Sequence, residues 1–100
     1  MTIYLVREHY DDGMVGPESE SYDEVVLSQG GFKTKEEAYA ACKEMAKARF
    51  KTFSDLQNME FDNDLKPDDP EIEYFDDNYE VRTWYIYDEY DYYVGTLEVH

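Results

Sequence analysis

The stretch Lys33–Phe53, "KTKEEAYAACKEMAKARFKTF", decides the fold. Thr34 is a good helix N-cap, and Glu37 follows three residues on, which makes a capping box. Glu36 and Glu37 suit the positive N-terminal end of a helix dipole, and Lys47, Arg49 and Lys51 suit the other end. Ala38, Ala41, Cys42 and Met45 recur at i, i+3, i+4 and i+7 and form one apolar face. Ala48, Thr52 and Phe53 extend that face. The pattern predicts a helix over about 35–53 whose small side chains let it lie close to a sheet. Ser54, with Gln57 three residues on, predicts a separate short helix over about 54–61.

Strand patterns flank the helix. On the N-terminal side, residues 2–10 alternate, with Ile3, Leu5 and Arg7 on one side and Tyr4, Val6 and Glu8 on the other. Asp11-Asp12-Gly13 signals a turn, and residues 14–21, with Gly16-Pro17, read as a loop. A second strand is expected over about 22–29, centred on Val25, Val26 and Leu27 and ended by Gly30-Gly31-Phe32. The two strands predict a hairpin with a long connection. On the C-terminal side, residues 62–78 hold Pro67, Pro70 and a run of acids, and read as an exposed, mobile acidic loop. Residues 80–87 return to strand. Val81, Thr83, Tyr85 and Tyr87 lie on one side and Arg82, Trp84 and Ile86 on the other, with Trp84 and Ile86 expected against the helix. A turn over 88–91 and a last strand over 92–99, with Leu97 and Val99 inward, complete the reading. The expected fold class is α+β: one domain over 1–100, an antiparallel sheet of about four strands with one main helix packed on one face.

Charge bounds the function. The chain carries 25 Asp and Glu against 9 Lys and Arg, a formal net charge of −16. The bases cluster: six lie within residues 33–51 beside three acids, and the rest of the chain holds three bases and 22 acids. Such a chain repels nucleic acid and anionic membrane, so no direct nucleic-acid or membrane binding is expected. The partners that fit are basic, above all a nucleic-acid-binding protein. B-DNA carries one charge per ~1.7 Å of axis, so 16 charges match about 27 Å of duplex, comparable to the width of a 100-residue domain with a radius of gyration near 13 Å. Carboxylates at i and i+2 on one strand stand about 6.6 Å apart, so neighbouring strands or loops must combine to imitate a phosphate array.

Chemistry-bearing motifs are sparse. Cys42 is the single cysteine and falls on the apolar helix face, as a small core residue rather than a nucleophile. His9 and His100 are the only imidazoles, too few for a zinc site or a Cys/His pair. Asp62, Asp64 and Glu73 fall on positions 1, 3 and 12 of a calcium loop, but Lys66 and Pro67 occupy positions 5 and 6, where an oxygen ligand and a glycine belong. No metal or cofactor is expected, and the chain reads as a non-enzyme of the cytoplasm without a membrane span.

Trp84–Tyr93, "WYIYDEYDYY", interleaves aromatic rings with acids, the opposite sign from a single-stranded nucleic-acid platform. Tyr offers rigid contact area and stacks on guanidinium groups, while carboxylates meet Arg and Lys. The expected partner-binding patch therefore joins Tyr87, Asp88, Glu89, Tyr90, Asp91 and Tyr92 to Asp68, Asp69, Asp76 and Asp77 of the loop. Two readings remain open: an interaction surface, or tyrosines that fill sheet positions and acids that serve solubility. Lys43, Lys47 and Arg49 either form a second contact surface or pair internally with acids of the loop.

The segments "IYLVREHYDDG", "GGFKTKEEAYAACKEMAKARF" and "YEVRTWYIYDEYDYYVGTLEVH", with strand pairs around a helix that opens on Phe-x-Thr-Lys-Glu-Glu-Ala, resemble small acidic phage-encoded α+β proteins. In size and charge the chain is similar to DNA-mimic anti-restriction proteins and anti-CRISPR proteins. The resemblance covers most of the chain and implies a counter-defence inhibitor acting in the host cell cytoplasm. It assigns no individual residue a role.

Overall fold

The structure, a computed structural model, describes residues 1–60 and 69–100. Its order is β1 (Thr2–Asp11), β2 (Ser21–Val25), β3 (Gly31–Phe32), α1 (Lys35–Glu60), β4 (Glu71–Phe75), β5 (Glu80–Tyr85) and β6 (Asp88–Glu98). Among the described residues the sheet has six antiparallel strands in the order β2-β1-β6-β5-β4, with β3 also on β1. The α+β class stands, with more strands than the sequence suggests.

The capping box forms as expected. The Glu37 amide donates to Thr34 Oγ1 at 3.1 Å, and the Thr34 hydroxyl donates to the Glu37 carboxylate at 3.2 Å. The helix does not stop at Phe53. It runs unbroken to Glu60, and Ser54 is an interior residue rather than a cap. The reason is the buried stripe: Ala38, Cys42, Ala46, Phe53 and Gln57 all face the sheet, so packing carries the helix past Ser54. Lys51 and Asp55 add an i,i+4 ion pair at 2.8 Å across that junction. The stripe is rotated from the expected one. Ala41 and Met45 flank it, and Ala48 and Thr52 are exposed.

Against this stripe the sheet sets Val6, Val81, Thr83, Tyr85 and Tyr92, all buried. In β5 it is therefore Val81, Thr83 and Tyr85 that meet the helix, and Trp84 faces away, the reverse of the expected packing of Trp84 and Ile86. The β5–β6 turn is also earlier than expected: Tyr85 pairs with Asp88, so the turn is Ile86-Tyr87 and residues 88–91 are strand. Leu97 and Val99 are exposed.

Two further segments depart from expectation. The second strand ends at Val25. A 3-10 turn over Leu27–Gln29 and Gly30, with φ +71°, lead into β3, which rejoins β1 farther along the same edge. The acidic loop expected over 62–78 holds a strand over Glu71–Phe75 and a 3-10 turn over Asp76–Asn78; residues 62–68 of it lie outside the described residues.

Candidate acidic interaction face

The helix covers one face of the sheet, and strand register fixes what lies on the other. Three charged cross-strand rows lie on the uncovered face, beside an apolar end formed by Ile3, Leu5 and Leu97. The first runs Ser21, Asp11, Glu89, Trp84, Glu71; the second Asp23, His9, Asp91, Arg82, Glu73; the third Val25, Arg7, Tyr93, Glu80, Phe75. Carboxylates thus recur in every row, with neighbours across strands about 4.8 Å apart and along strands about 6.7 Å.

The two guanidiniums of this face are already engaged. Arg82 Nε lies 2.6 Å from Asp91 and 3.0 Å from Glu89, and its terminal nitrogen lies 3.7 Å from Glu80. Arg7 holds Asp23 through two nitrogens at 3.0 and 3.1 Å, and the Tyr93 hydroxyl donates to the same carboxylate at 2.5 Å. That hydroxyl first, and Arg7 with it, keep Asp23 below the usual carboxylate range. Burial chiefly, with Asp91 nearby, raises Glu80. His9 Nδ1 stands 3.8 Å from Asp91. A shallow depression of about 290 Å³ opens here between His9, Asp23, Asn78, Glu80, Asp91 and Tyr93. The carboxylates of Glu71 and Glu73 on the edge strand make no ion pair or hydrogen bond among the described residues, and Trp84 and Phe75 flank them.

The helix itself is balanced, with Lys35, Lys43, Lys47, Arg49 and Lys51 against Glu36, Glu37, Glu44, Asp55 and Glu60, and its bases are locally engaged. Lys43 lies over the Tyr39 ring at 4.5 Å, Lys47 pairs with Glu44 at 3.4 Å, and Arg49 lies 4.0 Å above Tyr90 and 3.9 Å from the buried Glu8. The Tyr22 hydroxyl donates to Glu8 at 2.7 Å and helps to satisfy it. The partners of Lys43, Lys47 and Arg49 among the described residues thus lie on the helix and the sheet, not in the expected acidic loop.

The expected patch is divided by this geometry. Tyr87 and Asp88 are exposed at the β5–β6 turn, and Glu89 is half-buried beside Arg82. Asp69 lies near the same end and accepts a hydrogen bond from Gln57 at 2.7 Å. Asp76 and Asp77 lie at the other end of β5, about 20 Å away by strand rise. Asp76 accepts the Tyr39 hydroxyl at 2.8 Å. Tyr90 packs under Arg49, Asp91 is buried at the Arg82 pair, and Tyr92 is fully buried, its hydroxyl without a hydrogen-bond partner among the described residues. Asp68 lies outside the described residues. Sequence reasoning missed Glu71, Glu73, Phe75 and Trp84. The alternation Glu71-Ile72-Glu73-Tyr74-Phe75 carried the signal, since Ile72 and Tyr74 are on the helix side.

No protein family, curated protein or solved structure matches the chain. No helix among the described residues is long and apolar enough to cross a membrane. Of the calcium-loop pattern, Asp62 and Asp64 lie outside the described residues and Glu73 sits in β4.

Proposed function

We propose that this chain is an acidic protein-binding inhibitor, phage-encoded and directed against a host defence system of the CRISPR or restriction type. It acts by binding, without catalysis, in the host cytoplasm. The uncovered sheet face competes with DNA or RNA for a basic groove on a nucleic-acid-handling protein. One observation carries this reading. The uncovered face gathers carboxylate rows, and both of its guanidiniums already pair with carboxylates of the same face. Carboxylates two residues apart along a strand, at about 6.7 Å, match two steps of the 3.4 Å charge spacing of one nucleic-acid strand, and adjacent strands fill the gaps. Trp84 supplies a surface on which a partner arginine stacks, as Arg82 of this chain already does on Phe75.

The test is competition. Purified CRISPR effector complexes and restriction enzymes are loaded with labelled DNA, and release is followed as the protein is added at low and at physiological salt. Release that weakens with salt, and weakens again in a Glu71→Gln/Glu73→Gln/Glu89→Gln variant of unchanged melting temperature, supports the reading. Unchanged DNA binding at low salt across the panel counts against it. If the triple variant instead only loses solubility, the acids serve the alternative role of keeping the chain dispersed.

A further inference from the structure

The β5–β6 turn breaks the usual chemistry of its type. Two-residue hairpin turns need a positive φ at their first central residue and favour Gly, Asn or Asp there. This chain places Ile86 there, at φ +58°, a conformation in which a β-branched residue is a real outlier. The strain holds an apolar side chain in water: Ile86 is 51% exposed and its neighbour Tyr87 69%. A glycine would relieve the strain and remove the exposed surface together, so the turn is not arranged for stability alone.

The exposed pair does not stand by itself. Ile86 and Tyr87 form one wall of a groove of about 340 Å³, with Leu56 of α1 and Met14 of the β1–β2 loop on the others and Phe53 and Tyr85 among its lining. The loop is pinned to the turn. A Cβ on Gly13, at φ +69°, would stand 2.7 Å from the Tyr87 carbonyl oxygen, so only glycine permits this approach. Asp12 accepts the amides of Met14 at 2.9 Å and Glu20 at 2.6 Å and closes the loop from within. Asp12 and Asp88 rim the groove, and no base lines it among the described residues.

We propose that this groove docks a short segment of a partner protein that presents an aliphatic or aromatic side chain flanked by Lys or Arg. The apolar walls take the side chain, and the rim carboxylates and the strongly negative chain select the basic flanks. A second copy of this chain is a poor occupant, because two acidic rims would meet. An anionic membrane is repelled for the same reason. This site is separate from the uncovered sheet face and does not depend on what that face binds.

The probes are three synthetic twelve-residue peptides titrated into the ¹⁵N-labelled chain. One carries a central Leu-Phe pair between Lys and Arg flanks, one replaces the flanks with Glu, and one replaces the Leu-Phe pair with Ser. The first is expected to bind at least fivefold tighter than either control, with shifts concentrated at Gly13, Met14, Ile86, Tyr87 and Asp88. Ile86→Gly should leave the melting temperature equal or higher and weaken that peptide at least fivefold, and Tyr87→Ala should weaken it likewise. The Glu71→Gln/Glu73→Gln/Glu89→Gln variant should keep the turn-centred shifts, which separates this site from the sheet face. Indistinguishable peptides, shifts centred elsewhere, or full binding by Ile86→Gly would overturn the proposal. So would a dimer that Ile86→Gly abolishes, since the groove would then serve self-association.

Discussion

Arg82 and Asp91 face each other across the β5–β6 register, and the Arg82 Nε–H donates to the Asp91 carboxylate at 2.6 Å. Asp91 is largely buried, and Glu80 and Glu89 crowd the same guanidinium. Arg82 therefore offsets the repulsion of three carboxylates. Arg82→Met should cost about 1–3 kcal/mol by leaving Asp91 charged and poorly paired. Adding Asp91→Asn should recover part of that loss, and a double-mutant cycle by urea denaturation measures the coupling. Additive losses would show that the pair carries no net interaction.

Gly13→Ala should lower stability by about 1–3 kcal/mol, since it combines a left-handed φ with a clash against backbone rather than a movable side chain. For a domain of this length that is roughly 5–20 °C in melting temperature. Gly16→Ala provides the comparison: it also has a positive φ, but nothing lies within 4 Å of its would-be Cβ. A smaller loss at Gly16 than at Gly13 isolates the contact with Tyr87.

Ala46 is fully buried beneath the sheet, and its small size sets the approach of α1. Ala46→Leu should destabilise by about 1–3 kcal/mol through overpacking. Ala48→Leu, two residues on and exposed on the other side of the helix, should stay within about 0.5 kcal/mol. Equal melting curves for the two variants would mean that the buried stripe is wrongly placed.

Burial pushes the Cys42 thiol up to about 12, and the side chain has no exposed surface. Labelling by a thiolate-specific reagent at neutral pH should be at least ~10³-fold slower in the native chain than in urea, because it waits for opening of the fold. Rapid stoichiometric labelling of the native chain would contradict the packing around Cys42.

Alkali should unfold the chain. The hydrogen bond to Asp88 holds the Tyr10 hydroxyl above the ordinary phenol range, and burial does the same for Tyr22 and Tyr39, helped by Glu8 and Asp76. The raised values mean that the folded chain keeps protons which the unfolded chain releases above about pH 10. Stability is thus intact below about 10 and falls as pH rises past it. Phenolate absorbance should appear in step with the loss of circular dichroism. Full tyrosine ionisation in a chain that keeps its dichroism would refute the hydrogen bonds that these hydroxyls make to Asp88, Glu8 and Asp76. At the acid end the sign reverses. Asp23, lowered chiefly by Tyr93, contributes stability that is lost as pH falls below the ordinary carboxylate range.

What the sequence makes legible here is what local chemistry decides. Thr34 and Glu37 announce the helix start because the cap is made within four residues, and β1 shows its alternation over ten. The misses share a different cause. In β5 both faces carry large apolar residues, Val81 and Tyr85 on one and Trp84 on the other, so alternation alone could not choose the helix side. The helix passes through Ser54 because Phe53 and Gln57 find partners supplied from elsewhere in the chain. The turn at Ile86-Tyr87 is invisible to turn chemistry because it violates it. For the candidate site, the acid excess and the aromatic-acid mixture were plain, but which acids share a face depends on strand order. That order brings Glu71 and Glu73 beside Trp84 and sends Asp76 and Asp77 to the far end.

The central strands of the sheet are β1 and β6, the first and last in the chain, and they pair from Thr2 opposite Glu98 to Asp11 opposite Glu89. Val99 donates its amide to the Met1 carbonyl at 2.8 Å. The sheet therefore cannot acquire its middle until β6, some eighty residues after β1, has left the ribosome. A topology so dominated by distant pairings pays its loop-closure entropy early and places refolding toward the millisecond-to-second range rather than the microseconds of helical domains. During synthesis, α1 and the β1–β2 hairpin emerge first and wait with Val6, Cys42 and Ala46 uncovered, so that interval, rather than the finished fold, is when the nascent chain is most open to aggregation.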